Sequence, residues 1–435
     1  MTSPENALRA ARQSLGYRSQ EALAKALNAA AKEIGLRVSI NARTVRRWES
    51  IEPPWPQAEH VTALETLFNR PITELGFTSS RRAGGEQAAR PHGSGYSETW
   101  ASRHGGTGGG VLPPAVANDF AAGTAAFRRL YWSVPAARLQ RLVSEHAGLG
   151  WDLLPQISGS AKVVMARAVA ESSMLAGRLE FFDLQRPEDA KPSLTLALQA
   201  AGEAGDDLLG AATLAHMAFA PAFAVDPKQA AEDPKRAAAD AVRAEDARDK
   251  LRAARVFARR ADPSPEMLAW LDAVEAEVET RLGDTRRALQ LLYHAEAVYS
   301  EYDPEENPSP PWLDWFSTTR LAGFKGNTLL AAGMGAEARV TLEQALAGLP
   351  ADAIKQRAVF LADLAAAAVL ERNPEQACAH LEAALKVLGE HWYATAMDRV
   401  RDVRKSLRDW DSLPQVRKLD DQLYDWNTTI RSLSA

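Results

Sequence analysis

The 435-residue sequence predicts an all-α protein in two folded parts: a small N-terminal bundle of short helices, and a larger C-terminal solenoid of helical hairpins. Three observations carry this expectation. Apolar residues recur at helical spacing in both parts, and no segment shows the period-two alternation of a half-buried strand. Nine of the 27 glycines fall between residues 79 and 114, a stretch almost without apolar side chains, which predicts a flexible linker between the parts. Three segments of the C-terminal part share one register of small and apolar residues, the mark of a repeat architecture.

The composition is that of a folded globular protein, 46% apolar and 25% charged. The single cysteine, Cys378, leaves no intrachain disulfide or multi-cysteine zinc site to consider and fits a reducing compartment. The longest apolar run, Ala211–Val225, is shorter than the ~18–20 residues of a membrane span, and it contains His216 and Pro221. The polar N-terminus has no secretory apolar core. A cytoplasmic protein without membrane association is expected.

The first part, residues 1–78, reads as successive short helices. Pro4–Leu15 carries an apolar seam of Leu8, Ala11 and Leu15. Ser19 is placed to cap a second helix, with Glu21 in its positive first turn. That helix carries Leu23, Leu27, Ala30 or Ala31, and Ile34. Asn41 is placed to cap a third, Ala42–Ser50, stopped by Pro53-Pro54. On it Ala42, Val45 and Trp48 or Glu49 share one face, and Arg43, Arg46, Arg47 and Ser50 the other. A fourth helix, Gln57–Asn69, offers Val61, Leu64, Leu67 and Phe68 to the core, and a short turn follows at Ile72–Leu75.

Arginines at i, i+3 and i+4 on a short helix that also offers Asn41 and Thr44 can reach base edges and phosphates in a major groove. A merely solvated basic face is the alternative. The charge distribution suits a polyanion here: residues 1–110 hold 14 Lys and Arg against 10 Glu and no Asp, whereas residues 111–435 hold 37 bases and 46 acids. The overall charge of −5 therefore conceals a basic head and an acidic body.

The segments Leu8-Arg9-Ala10-Ala11-Arg12, Tyr17-Arg18-Ser19-Gln20-Glu21-Ala22-Leu23-Ala24 and Arg43-Thr44-Val45-Arg46-Arg47-Trp48-Glu49 resemble the Xre/Cro-repressor type of helix-turn-helix domain over about residues 4–77. That resemblance implies DNA-binding transcriptional regulation, usually as a homodimer. It places Gln20 at the helix-2 position that touches double-stranded DNA near the backbone, and Arg43, Thr44, Arg46 and Arg47 at recognition-helix positions. One departure stands out. Between Ala24 and Thr44 the chain is about 11 residues longer than the usual tight turn, with Asn28 to Ile40 the stretch in question. The extra residues either lengthen helix 2 or form a loop in which Lys32 and Arg37 add a phosphate contact.

The glycines of 79–114 do not read as a phosphate loop, since no Lys-Ser/Thr follows and no strand precedes them. From 115 to 435 the chain is rich in Ala, Leu, Arg and Glu, with expected breaks at prolines such as Pro155, Pro187, Pro192, Pro350 and Pro374. Gly326, Leu329, Gly333, Ala338, Leu342, Ala345 and Pro350 sit at the spacing of a tetratricopeptide repeat. Ala276, Gly283, Ala288, Leu292 and Ala295 share that register, and so do Leu361, Leu364, Ala365, Ala368, Ala377, Leu381 and Ala384. A weaker copy has Phe181, Ala190, Leu194 and Ala197. An Ala-rich bundle without true repeats is the alternative.

Such solenoids present a concave groove for peptides or partner helices. Its inward positions would be Arg320, Gly323, Asn327 and Leu330: Asn327 to pair with a peptide backbone, Arg320 to anchor a carboxylate. Trp312, Trp315 and Phe316 could cover the groove, or belong to the core. This part is similar to the tetratricopeptide-type region that many actinobacterial regulators carry behind a helix-turn-helix domain. Gram-positive peptide-pheromone receptors pair the same two modules, and by that resemblance Asn327 would hold a peptide.

No catalytic, metal or cofactor site is expected. The eight histidines form no zinc motif, Cys378 and His380 diverge on a helix, and no nucleophile elbow is present. The expected function is sequence-specific transcriptional regulation, with a peptide, small molecule or protein partner bound by the helical region. The alternative is a DNA-tethered adaptor that holds a partner protein without sensing a ligand.

Overall fold

The computed structural model describes residues 7–33, 40–50, 53, 56, 58–68, 70, 72–77, 112–226 and 233–434. Among them every regular element is a helix. The chain divides into two compact units, residues 1–106 and 107–435. The segment read as a linker lies outside the described residues as far as 111.

The first unit contains α1 (Ala7–Ser14), α2 (Gln20–Glu33), α3 (Ala42–Trp48), α4 (Ala58–Phe68) and a 3-10 turn at Ile72–Leu75. Leu8, Leu23, Leu27, Val45, Leu64 and Leu75 close a core that also buries Trp48 and Phe77. Val61 and Leu67, expected in that core, only flank it, and Ala63 is buried in addition. Ser19 Oγ accepts from the Ala22 N–H at 3.1 Å, satisfying a donor at the start of α2. Gly76 is left-handed, with φ +87°, and an added Cβ there would stand 3.1 Å from the Ala7 Cβ. The extra residues between helices 2 and 3 are used in part to lengthen α2 through Glu33. Ile34 and Arg37 lie outside the described residues.

The second unit opens with α5 (Pro114–Leu130), α6 (Ala136–Leu153) and α7 (Ser160–Arg178), the last running into a π turn at Leu179–Asp183. Then come α8 (Pro187–Ala204), α9 (Asp207–Met217), the short α10 (Phe219–Phe223) and α11 (Pro234–Arg260). Three hairpins follow: α12 (Pro265–Arg281) with α13 (Thr285–Ser300), α14 (Thr318–Ala331) with α15 (Gly335–Ala347), and α16 (Ile354–Leu370) with α17 (Pro374–Glu390). The chain closes with α18 (Ala394–Ser406) and α19 (Pro414–Ser434). Pro187, Pro234, Pro265 and Pro374 each stand in a first helical turn, where a missing N–H costs nothing. Pro192 does not break the chain as expected. It lies inside α8 on the exposed side, so the Glu188 carbonyl it leaves unpaired can be hydrated.

The repeat register is visible in the packing. Ala276 and Leu292, Gly326 and Leu342, and Ala365 and Leu381 are pairs 16 residues apart, a small residue on the first helix and a leucine on the second; the five Ala and Leu members are almost completely buried, and Gly326 is buried with them. A Cβ on Gly326 would stand 2.5 Å from Leu342 Cδ2, so only glycine permits that approach. All three hairpin turns close alike. The N–H groups of Asp284, Met334 and Asn373 donate to the carbonyls of Glu279, Leu329 and Ala368, five residues back, each at 2.9 Å. The left-handed residue before each donor is Gly283, Gly333 or Arg372.

Within this solenoid α12 is unusual, since it is buried from Glu266 to Thr280 although it carries five acids there. Arg248 and Arg255 of α11 and Arg287 of α13 form ion pairs with its Asp272, Glu275 and Glu279 at 2.6–2.9 Å, and His294 of α13 hydrogen-bonds Asp272 at 2.6 Å. These acids are thus paired internally, which leaves the acidic excess of the body to be carried by other residues.

Candidate functional site

Two sites emerge, one in each unit. In the first, Asn41 caps α3, its Oδ1 accepting from the Thr44 N–H at 2.9 Å and from Thr44 Oγ1 at 3.1 Å. Val45 and Trp48 point into the core, and Asn41, Arg43, Arg46 and Arg47 are exposed with Thr44 half-buried. Asn28 ties the approach to α3, donating to the Ile40 carbonyl at 2.7 Å and accepting from the Ile40 N–H at 2.9 Å. Behind α3 lies a polar network. Glu49 accepts from Arg12 Nε at 2.6 Å and from Gln20 Nε2 at 2.9 Å. Gln20 Oε1 in turn accepts from Arg46 Nε at 3.2 Å. The guanidinium of Arg12 also donates to the Tyr17 carbonyl at 2.8 Å, so α1, the start of α2 and the end of α3 are clamped together.

This network distinguishes the arginines. Arg46 is held against Gln20, whereas the side chains of Arg43 and Arg47 make no hydrogen bond or ion pair among the described residues. Lys32, suggested as a phosphate contact, is exposed in the last turn of α2.

The second site is a cavity in the helical unit, with a volume of about 90 Å³. Arg320, Asn327 and Trp315, the three groove residues expected from sequence, all line it, and so do Gly323 and Phe316. Two expectations need correction. Trp312 does not cover the groove; it is buried in the core and stacks on the far side of the cavity-lining Trp315 at 5.7 Å, where its large apolar ring is removed from water. Leu330 does not reach the cavity and packs instead against the neighbouring core.

Asn327 has both amide ends engaged. Its Nδ2 donates to Glu277 Oε2 at 2.8 Å, and its Oδ1 accepts from Arg399 Nη1 at 3.3 Å. Arg281 Nε donates to Glu277 at 3.3 Å and Arg399 pairs with Asp363, so a polar ladder joins α12, α14, α16 and α18 along one wall. Burial pushes the Asp363 carboxyl up despite the adjacent Arg399. A peptide backbone on Asn327 would have to use its remaining N–H and lone pair, or displace this ladder.

Several lining residues were not anticipated. Ten of the 21 are Phe, Tyr or Trp, although such residues are 7% of the chain, so the cavity gathers the aromatics. His216 Nδ1 donates to the Ala212 carbonyl at 2.8 Å. Burial first, and the charge of Arg178 second, hold its imidazole down at about 3, so it is neutral. Arg178, the last residue of α7, is 9% exposed, with its guanidinium 4.1 Å from the Trp315 ring and 5.0 Å from that of Tyr131. Behind it Lys355 and Tyr131 both bond Asp183. The register held a signal for these residues. Arg178, Glu277 and Asn327 each directly follow the small contact residue of their helix, Gly177, Ala276 or Gly326. Seven residues before Glu277 and Asn327 stand Trp270 and Arg320, which also line the cavity.

Among the described residues no cluster of His, Cys, Asp or Glu could hold a metal ion, and no helix is long and apolar enough to cross a membrane. Cys378 is buried in the repeat core, where burial raises its thiol pKa. A family model described as the SP15 N-terminal domain matches residues 8–78, which spans α1 to α4 and the 3-10 turn. No curated protein matches the chain.

Proposed function

We propose that the protein is a sequence-specific, DNA-binding transcriptional regulator of the Xre/Cro helix-turn-helix kind, working in the cytoplasm as a homodimer. Its tetratricopeptide-like unit binds an effector. The observation that carries the DNA assignment is the division of labour on α3. Arg46 is oriented by the Gln20–Glu49–Arg12 network, and Arg43 and Arg47 stand exposed on the same short helix with no side-chain partner among the described residues. Cations left unpaired beside a pre-positioned one suit a polyanion, since no internal bond has to break before they reach it.

Single replacements of Arg43, Arg46 and Arg47 by Ala test this, with operator binding measured over a salt series. A base-reading arginine costs about 1–3 kcal/mol and relaxes specificity at one position; a phosphate contact weakens all sequences alike and lowers the salt slope by about 1. Unchanged binding in all three variants would overturn the assignment. An effector acts only by favouring one arrangement of the protein over another. Control by oligomeric state, or by masking of the α3 face, is the mode that suits two units joined by the Gly-rich segment. A stoichiometric protein partner that occupies the helical unit, with no ligand-linked change in DNA affinity, would favour an adaptor instead.

A further inference from the structure

The cavity of the helical unit has an electrostatic imbalance that its own residues do not resolve. Four arginines line it: Arg178, Arg281, Arg320 and Arg399. Two are accounted for, Arg281 by Glu277 and Arg399 by Asp363. The side chains of Arg178 and Arg320 have no hydrogen bond or ion pair among the described residues, only the ring faces of Tyr131, Trp315 and Phe324. The acids whose fields reach Arg178 are already committed, Asp183 to Lys355 and Tyr131, and Asp314 to Arg128. Arg320 lies near enough to Arg178 to oppose its charge. A guanidinium buried to this degree without an acceptor is costly, and beside a second cation it is more so.

We propose that Arg178 and Arg320 form the anion end of a binding site for a small aromatic carboxylate, whose ring lies between the aromatic walls of the cavity. The planar fork of a guanidinium matches a carboxylate, and the cation–π contacts hold Arg178 in place for it. The same chemistry could come from a free aryl acid or from the aromatic C-terminal residue of a peptide whose remainder stays outside. The inference rests on the reading of the helical unit as an effector domain, and it is independent of DNA binding.

Titration of the full-length protein, without DNA, by calorimetry and by quenching of tryptophan fluorescence tests the assignment. The probes are phenylacetate, phenylacetamide, phenyl phosphate, and the tripeptide Ala-Ala-Phe with a free or an amidated C-terminus. Phenylacetate, or the free-acid tripeptide, should bind at least tenfold more tightly than its amide. Preference between these two identifies the source. Arg178→Gln and Arg320→Gln should each weaken that binding at least tenfold. Arg320 is half-buried, so its variant keeps the test valid if Arg178→Gln fails to fold. Binding of neither acid, equal binding of acid and amide, tighter binding of phenyl phosphate, or wild-type affinity in folded Arg320→Gln would each overturn the proposal. Because no DNA is present, such a failure removes the ligand class and leaves the α3 assignment to its own test.

Discussion

The Arg12–Glu49 pair is the point at which the small N-terminal unit is most open to a single change. The side chains of Arg12 and Glu49 are 7% and 4% exposed, and Glu49 bonds both Arg12 and Gln20. Glu49→Gln keeps the shape and one acceptor but leaves the Arg12 charge uncompensated. Breaking a buried pair in this way costs about 3–5 kcal/mol. The retained acceptor and the Tyr17 carbonyl put the expected value at the low end, about 3 kcal/mol. A unit of this size has about 4–11 kcal/mol of stability in total, and each kcal/mol moves its melting temperature by about 4–8 °C. Scanning calorimetry of the full-length chain should therefore show one transition lowered by about 12–24 °C and the transition of the helical unit unmoved. The double variant Arg12→Met/Glu49→Leu removes both charges and should recover most of the loss. A shift no larger than that of the exposed Glu21→Gln, or a double variant as unstable as the single one, would refute the reasoning.

Further predictions concern the helical unit. Gly326→Ala forces a Cβ to within 2.5 Å of Leu342 Cδ2; overpacking of about 1–3 kcal/mol should outweigh the gain in helix propensity, whereas Gly202→Ala, with nothing within 4 Å, should stabilise by about 0.5–1 kcal/mol. Denaturant melts of the two variants check the opposite signs. His216, held down at about 3, binds a proton on unfolding, so it makes stability fall as pH drops from 6.5 towards 3. His216→Phe should lose that dependence, with the difference from wild type growing by up to about 1.4 kcal/mol per pH unit. The raised carboxyls of Asp183 and Asp363 act in the opposite sense, contributing stability that falls as pH rises through their folded values. They are present in both proteins and cancel in the comparison; parallel stability–pH curves for the two proteins would contradict the assignment of His216.

The helices were legible because burial writes itself into spacing. Ala276 and Leu292, or Ala365 and Leu381, stand in the sequence where the packing needs a small residue opposite a large one. The turns were legible for a related reason, since Gly283 and Gly333 adopt a left-handed backbone that other residues resist. Pro192 misled because a proline is read as a break from its own chemistry, whereas the solvent that tolerates it belongs to the tertiary structure. The Arg12–Glu49–Gln20–Arg46 network could not be read at all. Its members are 3 to 37 residues apart, and nothing in their spacing tells a clamp from four solvated side chains.

The cavity shows why charge must be followed to the partner rather than summed. By composition the helical region is acidic, with 37 bases and 46 acids after residue 110. An acidic body would be expected to repel an anionic ligand. Yet most of its buried acids are held by neighbouring groups: Asp272, Glu275 and Glu279 by α11 and α13, Glu277 by Arg281 and Asn327, and Asp363 by Arg399, whereas Glu180 and Glu266 have only uncharged partners among the described residues. At the cavity itself, the guanidiniums of Arg178 and Arg320 have no ion pair among the described residues. The potential felt by a small anion inside the cavity is set by Arg178 and Arg320 at close range in a poorly screened interior, whereas the acidic surface acts across water and salt. The same surface disfavours close approach of the body to a polyanion, so the sign of the whole does not predict the sign of the site.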